Sequence, residues 1–176
     1  LVKNKNYKGK LAKTIGASYM LDILAKKNGI DVIETPVGFK WLGSAMRNND
    51  VIIAGEESGG LSIKGHIPEK DGILANLLIM EMMAYENKKL FELHNEFLTN
   101  FTRQFINDRV DLKLDSKEEQ DKIINSFKDV KEIGEYKVIK TSNLDGLKLY
   151  LNDESTILIR KSGTEPLLRI YIETDK

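Results

Sequence analysis

The chain has 176 residues, no cysteine, and 27 lysines and arginines against 27 aspartates and glutamates. Zero formal charge removes the basic field that non-specific nucleic-acid binding needs, and the lack of cysteine removes disulfides and thiolate metal sites. Hydrophobic residues at 41% and charged residues at 31% are ordinary for a soluble protein with mass for one full domain or two small ones. The most apolar run, residues 73–85, is broken by Asn76 and Glu81 and is too short to cross a bilayer. The early lysines lead into no signal-peptide core. A cytoplasmic protein without membrane or nucleic-acid partners is expected, and a start at Leu1 suggests a piece of a longer chain.

Residues 10–16 read as a strand, followed by a helix over 19–27 capped by Ser18, with Met20, Leu21, Ile23 and Leu24 on one stripe. Asn28-Gly29 stops that helix. A strand over 30–34, a helix over 41–47 and an apolar strand over 51–54 complete a β-α-β-α-β pattern with a buried sheet. After a loop at 55–70, Asp71 caps a helix over 72–87 that is apolar almost all round, so burial on more than one side is expected. The methionines Met80, Met82 and Met83 fit core packing. A more polar helix, 90–105, leads out of this first unit, and the lysine-rich stretch 3–13 reads as a solvated face.

From about residue 108 the pattern changes. A strand over 108–114 precedes a helix announced by a Ser116/Glu119 capping box and carrying Ile123, Ile124 and Phe127. From Tyr136 onward the period is two, with Leu147, Leu149 and Leu151 alternating after an Asp145-Gly146 turn. Strands follow at 156–160 and 167–173. The fold class is therefore α/β: an α/β/α sheet domain over 1–100, then a smaller α+β domain over 105–176 with a mainly antiparallel sheet.

Two loops carry chemistry. Gly55-Glu56-Glu57-Ser58-Gly59-Gly60 leaves the C-terminal end of an apolar strand, where open α/β sheets bind ligands. Its carboxylates and serine suit a polyol and would repel phosphate; a solvated glycine-rich turn fits the residues equally well. Arg160-Lys161-Ser162-Gly163-Thr164-Glu165-Pro166 joins two apolar strands and offers cations, hydroxyls and a glycine N–H to an anion, without the spacing of a Walker A loop. A basic surface turn is again the equal alternative. Together the loops describe a sugar phosphate.

At these residues the sequence resembles the α-D-phosphohexomutase superfamily, which includes phosphoglucomutases and phosphomannomutases. Residues 35–40 (Thr-Pro-Val-Gly-Phe-Lys), 55–72 and 160–166 carry the match, and their order and spacing fit along essentially the whole chain. The middle stretch is the most specific, because Gly-Glu-Glu-Ser-Gly-Gly is followed by His66 and by Lys70-Asp71-Gly72. The resemblance implies the third and fourth of four domains. By it, Glu56, Ser58, Lys70, Gly38 and Lys40 would face the sugar, and His66 and Lys70 would assist. Arg160, Ser162, Gly163, Thr164 and Arg169 would hold the phosphate that is not being transferred. Val37 stands where some members carry a hydroxyl.

The family's phosphoserine and its magnesium loop belong to the first two domains. No Asp-Gly-Asp and no Ser-His-Asn-Pro occurs here, so no catalytic or metal-binding residue of that kind is expected in this piece, and Mg2+ belongs to the longer enzyme. The partners implied are a hexose phosphate, its bisphosphate intermediate and the N-terminal domains of the same protein. The fourth domain would be C-terminally truncated, since its usual last helix is missing from the pattern. The Gly-Glu-Glu-Ser-Gly-Gly form leans toward glucose or mannose phosphates; a phosphoglucosamine mutase and a stand-alone sugar-phosphate-binding module are the alternatives. His94, on a polar helix, is expected to be structural or exposed, and Arg169 either assists the phosphate or balances Glu173.

Overall fold

A computed structural model describes residues 1–162 and 165–175. The chain divides into two compact units, Leu1–Thr102 and Arg103–Lys176.

The first unit opens with a single-turn helix α1 (Val2–Lys5) and strand β1 (Lys10–Thr14). Then come α2 (Met20–Lys27), β2 (Val32–Thr35), α3 (Phe39–Asn48) and β3 (Val51–Gly55). A short β4 (Leu61–Ile63), α4 (Gly72–Glu86) and α5 (Leu90–Leu98) follow. The sheet order is β2-β1-β3-β4; the first three strands are parallel and β4 runs antiparallel to β3. Ala12 and Ala54 face Phe39, Leu42 and Ala45 of α3 in a buried cluster, while Ile53 and Leu61 line a cavity with α1 and α4 on the other side. Because β1, β2 and β3 are parallel, their C-terminal ends share one edge, from which residues 15–17, 36–38 and 56–60 all leave.

The second unit holds β5 (Ile106–Lys113), α6 (Lys117–Ser126), β6 (Glu132–Ile133), β7 (Tyr136–Ser142), β8 (Leu147–Leu151), β9 (Thr156–Lys161) and β10 (Leu167–Thr174). Its sheet is antiparallel throughout, in the order β5-β10-β9-β8-β7-β6. Leu147, Leu149, Ile159 and Leu168 pack with Ile124 of α6. Every residue of the inner strand β8 is buried, including Lys148, whose ammonium lies 5.1 Å from the Tyr150 ring centroid. The mixed, partly parallel sheet followed by an antiparallel one is the α/β arrangement expected.

Four local expectations are corrected. Helix α4 buries none of its residues fully, and Met80 is 64% exposed, so the methionines do not form a core cluster. The helix is apolar all round, but the described residues cover only one of its sides. Lys13 is not part of a solvated face; it is fully buried, because Asp22 of α2 and Glu34 of β2 reach its ammonium at 2.5 and 3.6 Å. Strand β4 forms inside the stretch read as one loop, where antiparallel pairing to β3 outweighs the glycines around it. The capping box is not made: Glu119 accepts from the Asp115 N–H at 3.1 Å, one residue before the N-cap, and Ser116 makes no side-chain cap.

By contrast Asp71 caps α4 as read, accepting from the N–H groups of Ile73 and Leu74. Ser18 Oγ accepts from Met20 N–H at the start of α2.

Gly146, between β7 and β8, has φ +92°, and a Cβ there would lie 2.2 Å from the Ile159 carbonyl oxygen. Gly146→Ala is therefore expected to lower stability by about 1–3 kcal/mol from backbone strain alone, with the clash adding to it. Urea denaturation followed by circular dichroism checks this; an unchanged midpoint would contradict the turn's geometry.

Candidate functional site

The loop after β3 is closed by its own backbone. Glu56 N–H donates to the Gly60 carbonyl at 2.9 Å, Gly59 N–H donates to the Glu56 carbonyl at 3.1 Å, and Gly59 takes φ +87°. This tight turn leaves Ser58 exposed at the tip. The Glu56 side chain is nearly covered and pairs with Lys70 Nζ at 3.3 Å. A Cβ on Gly60 would come 3.0 Å from Lys70 Cδ and 3.2 Å from Glu56 Oε2, so the glycine makes room for that pair. The structure thus brings together three predicted residues, Glu56, Ser58 and Lys70, on one loop system.

Glu57 carries no distinguishing signal in the sequence, yet it ties this loop to β1. Thr14 Oγ1 donates to Glu57 Oε2 at 2.7 Å, while Glu57 as a residue stays exposed. Thr14 follows the buried Lys13 and lies at the same sheet edge. No sequence signal marks Thr14, because its partner is 43 positions away.

Gly38, with φ +122°, turns the chain into α3, and Lys40 lies exposed 5.0 Å over the Trp41 ring. Among the described residues, no hydrogen bond or ion pair joins these two to the Glu56 loop. His66 Nε2 is 3.0 Å from Asp71 Oδ2, the same carboxylate that caps α4. The Leu74 N–H above all, helped by His66 and the Ile73 N–H and opposed by partial burial, holds the Asp71 carboxyl below its ordinary range. His66 therefore belongs structurally to the α4 cap. His94 is exposed.

In the second unit, Arg160 and Arg169 are register partners across β9 and β10 and so project from the same face. The Arg160 guanidinium donates through Nε and Nη2 to Asp145 Oδ2, at 3.2 and 2.8 Å, and Nη1 is outside that pair. Arg169 Nε is buried without a hydrogen-bond partner among the described residues. Its other register neighbour, Asp111, is taken up by Arg109 at 2.9 Å. Lys161 pairs instead with Asp121 of α6.

The loop between these strands is latched from several sides. Glu165 N–H donates to the buried Ser162 Oγ at 3.3 Å, and Ser162 N–H donates to the Leu167 carbonyl at 2.9 Å. Gln120 of α6, 3% exposed, donates through Nε2 to the carbonyls of Glu165 and Leu167 at 3.2 and 2.8 Å. Gly163 and Thr164 lie outside the described residues. Neither Gln120 nor Asp145 was foreseen, since both act across distant sequence.

Among the described residues no group of three or more His, Cys, Asp or Glu is placed to hold a metal ion, and no helix is long and apolar enough to cross a membrane.

Comparison with known proteins assigns both units to one family. Residues 1–101 match the phosphoglucomutase/phosphomannomutase alpha/beta/alpha domain III, and residues 110–176 match the C-terminal domain of the same family. The chain belongs to the phosphoglucomutase/phosphomannomutase family and corresponds to its C-terminal part. It is 35% identical over 172 residues to a phosphoglucomutase/phosphomannomutase of Thermococcus kodakarensis, covering 98% of this chain and 35% of that protein. A phosphoglucosamine mutase of Finegoldia magna is 33% identical over 172 residues, covering 98% of this chain and 34% of that protein. Among solved structures, the open form of pp63/parafusin, a phosphoglucomutase from Paramecium, superposes with a TM-score of 0.77 at 27% identity, covering 95% of this chain and 33% of that one. The chain spans about a third of the length of these relatives.

Two measurements check the site's framework. Because the folded Asp71 carboxyl titrates below the unfolded one, its contribution to stability is full above the ordinary value of 3.8 and is lost as pH falls through the depressed value. The amide shifts of Ile73 and Leu74 are expected to titrate with a midpoint below 3.8; a midpoint at or above it would contradict the cap. Gln120→Ala removes two side-chain hydrogen bonds to carbonyls that keep the N–H groups of Leu167 and Ser162 as donors, and is expected to cost about 0.5–1.5 kcal/mol in urea denaturation, with faster amide exchange at Ser162 and Leu167.

Proposed function

We propose that this chain is the substrate-recognition part of a mutase that interconverts hexose 1-phosphate and hexose 6-phosphate through a bisphosphate, acting on glucose and mannose phosphates. The observation that carries the reading is the in-register pair Arg160 and Arg169, with Arg169 Nε buried and without a hydrogen-bond partner among the described residues. Two guanidinium groups on one face suit phosphate oxygens, which take arginine in forked geometry. Asp145 holds Arg160 in place before a ligand arrives, so little side-chain entropy is left to lose on binding.

On this reading Glu56 and Ser58 accept from and donate to vicinal sugar hydroxyls, and Glu57, tied to Thr14, keeps the loop open toward them. Lys70 pairs with Glu56 and on this reading turns toward substrate oxygen when the sugar binds. Gly38 and Lys40 contribute from the same sheet edge. Gly163 and Thr164 complete the phosphate loop. Gripping one phosphate while the other reacts is positioning work, which lowers a barrier by holding reactants in near-attack geometry. The serine that carries the phosphoryl group and the magnesium ion that neutralises its charge lie, on this reading, in the preceding part of the protein. The absence of cysteine supports a cytoplasmic setting.

A second reading within the family, a phosphoglucosamine mutase, is supported by the Finegoldia magna relative at 33% identity. A coupled assay of the complete protein with glucose 1-phosphate, mannose 1-phosphate and glucosamine 1-phosphate separates the two. Preference for the first two is expected; a kcat/KM highest for glucosamine 1-phosphate would replace this reading with the second.

The pure 176-residue chain is expected to show no turnover but to bind sugar phosphate, with amide shifts at Arg160, Lys161 and Ser162. Since hydrogen bonds to charged groups contribute about 1.5–3 kcal/mol, Arg169→Ala is expected to weaken that binding roughly ten- to a hundredfold. Unchanged binding, or turnover by the isolated chain, would sink the assignment.

A further inference from the structure

Two carboxylates stand side by side at the exit of β3, and the fold holds them in different ways. Strand β3 lies between β1 and β4, and the loop after it is braced toward both. Glu56 is held on the β4 side by Lys70 at 3.3 Å, and the next residue, Asp71, donates its N–H to the Leu61 carbonyl of β4 at 3.1 Å. Glu57 is held on the β1 side, where Thr14 Oγ1 donates to Oε2 at 2.7 Å. A hydroxyl donating to a carboxylate at that length makes a charge-assisted bond, stronger than one between neutral groups.

The β1 side is shaped to receive a carboxylate. Thr14 is fully buried, and its chain neighbour Lys13 is fixed by Asp22 and Glu34, so the hydroxyl is presented from a rigid strand end. The chain then turns: Ile15 N–H donates to the Thr35 carbonyl at 2.8 Å, and Ala17 N–H to the Thr14 carbonyl at 3.0 Å. Gly16 lies within that turn. A Cβ on it would come 3.2 Å from both Cδ and Oε2 of Glu57, so the missing side chain is the space in which the carboxyl rests. Gly16 does not take a positive φ, so a larger residue there would disturb the contact with Glu57 and not the backbone.

We infer that Thr14 and Gly16 are positioning residues of the sugar loop: they seat Glu57 on β1, which sets the path of the loop and leaves the neighbouring carboxylate, Glu56, with Ser58 for the sugar. The same side chain stands at both positions, so the seat decides which glutamate is offered to a ligand. Without it Glu57 would regain its rotamer freedom, and two adjacent carboxylates would compete for Lys70. The inference deepens the substrate reading above and rests on it.

The complete protein is assayed with whichever hexose 1-phosphate the wild type turns over best, and with inorganic phosphate as a competitive inhibitor. Thr14→Val and Glu57→Ala are each expected to lower kcat/KM about tenfold with a raised KM, as loss of a hydrogen bond to a charged group implies. The double variant loses no more than either single one, because both remove the same contact. Thr14→Ser keeps the hydroxyl and holds kcat/KM within about threefold of the wild type. Gly16→Ala raises KM in the wild-type background but not beside Glu57→Ala, where no carboxyl is left to displace. The inhibition constant of inorganic phosphate stays within about twofold in every variant, since on the reading above the second unit grips the phosphate. Multiplied losses in the double variant, unchanged kinetics in Thr14→Val, or a fall in kcat alone at constant KM, the mark of fewer folded molecules, would each overturn the inference and leave the substrate reading in place. A wild type that turns over no hexose phosphate would overturn both.

Discussion

The geometry of the first unit depends on the buried ammonium of Lys13. A cation removed from water is costly unless it is paired and hydrogen-bonded, so its position fixes the groups around it. Asp22 from α2 and Glu34 from β2 converge on it, and the carbonyls of Ala17 and Ser18 lie 3.5 Å away. That single charge therefore joins β1, β2 and the turn into α2 at the C-terminal edge of the parallel strands. Its chain neighbour Thr14 is fully buried as well and reaches Glu57 in the next loop. A constraint in the core is thus passed through one peptide unit to the rim, where a carboxylate-bearing loop would otherwise be free to wander.

The second unit solves a comparable problem with different chemistry. Two arginines side by side on one sheet face repel each other, and among the described residues a carboxylate pairs with only one of them. Asp145 takes Arg160, held there by a turn whose glycine no other residue replaces without strain. Arg169 keeps a buried donor for which no described residue supplies an acceptor. Gln120 ties the loop's return to α6 through the carbonyls of Glu165 and Leu167. An anion arriving at this face would meet cations already oriented, so binding would complete the electrostatics of the fold.

Local chemistry was legible in the sequence wherever the physical partners are close along the chain. Asp71 as a cap, Asn28-Gly29 as a helix stop and the Asp145-Gly146 turn depend on neighbours within a few residues. The apolar strands and the change from helical to strand periodicity near residue 108 also depend on local pattern, so the two-sheet architecture could be read. The partners of Lys13, Glu57, Arg160 and Ser162 depend on tertiary placement. Lys13 in particular sits among lysines that are solvated, and nothing local distinguishes it. The glycine-rich loop concealed β4 for the opposite reason: its three-residue strand gains its stability from pairing with β3, not from its own propensity.

Helix α4 shows what a hydrophobic pattern does and does not specify. Its composition requires burial on all sides, and that requirement is a property of the side chains alone. The identity of the covering surface is not encoded in the helix, because the hydrophobic effect has no direction and rewards any apolar area removed from water. A sequence reading therefore assigns such a helix to the core of whatever residues are at hand. Here α1 and the sheet account for one side, through Leu1, Ile53 and Leu61, and their polar ties at Lys5 and Asn4 fix which side that is. The remaining stripe stays exposed among the described residues, so uniform hydrophobicity in a helix states a demand for cover without naming what meets it.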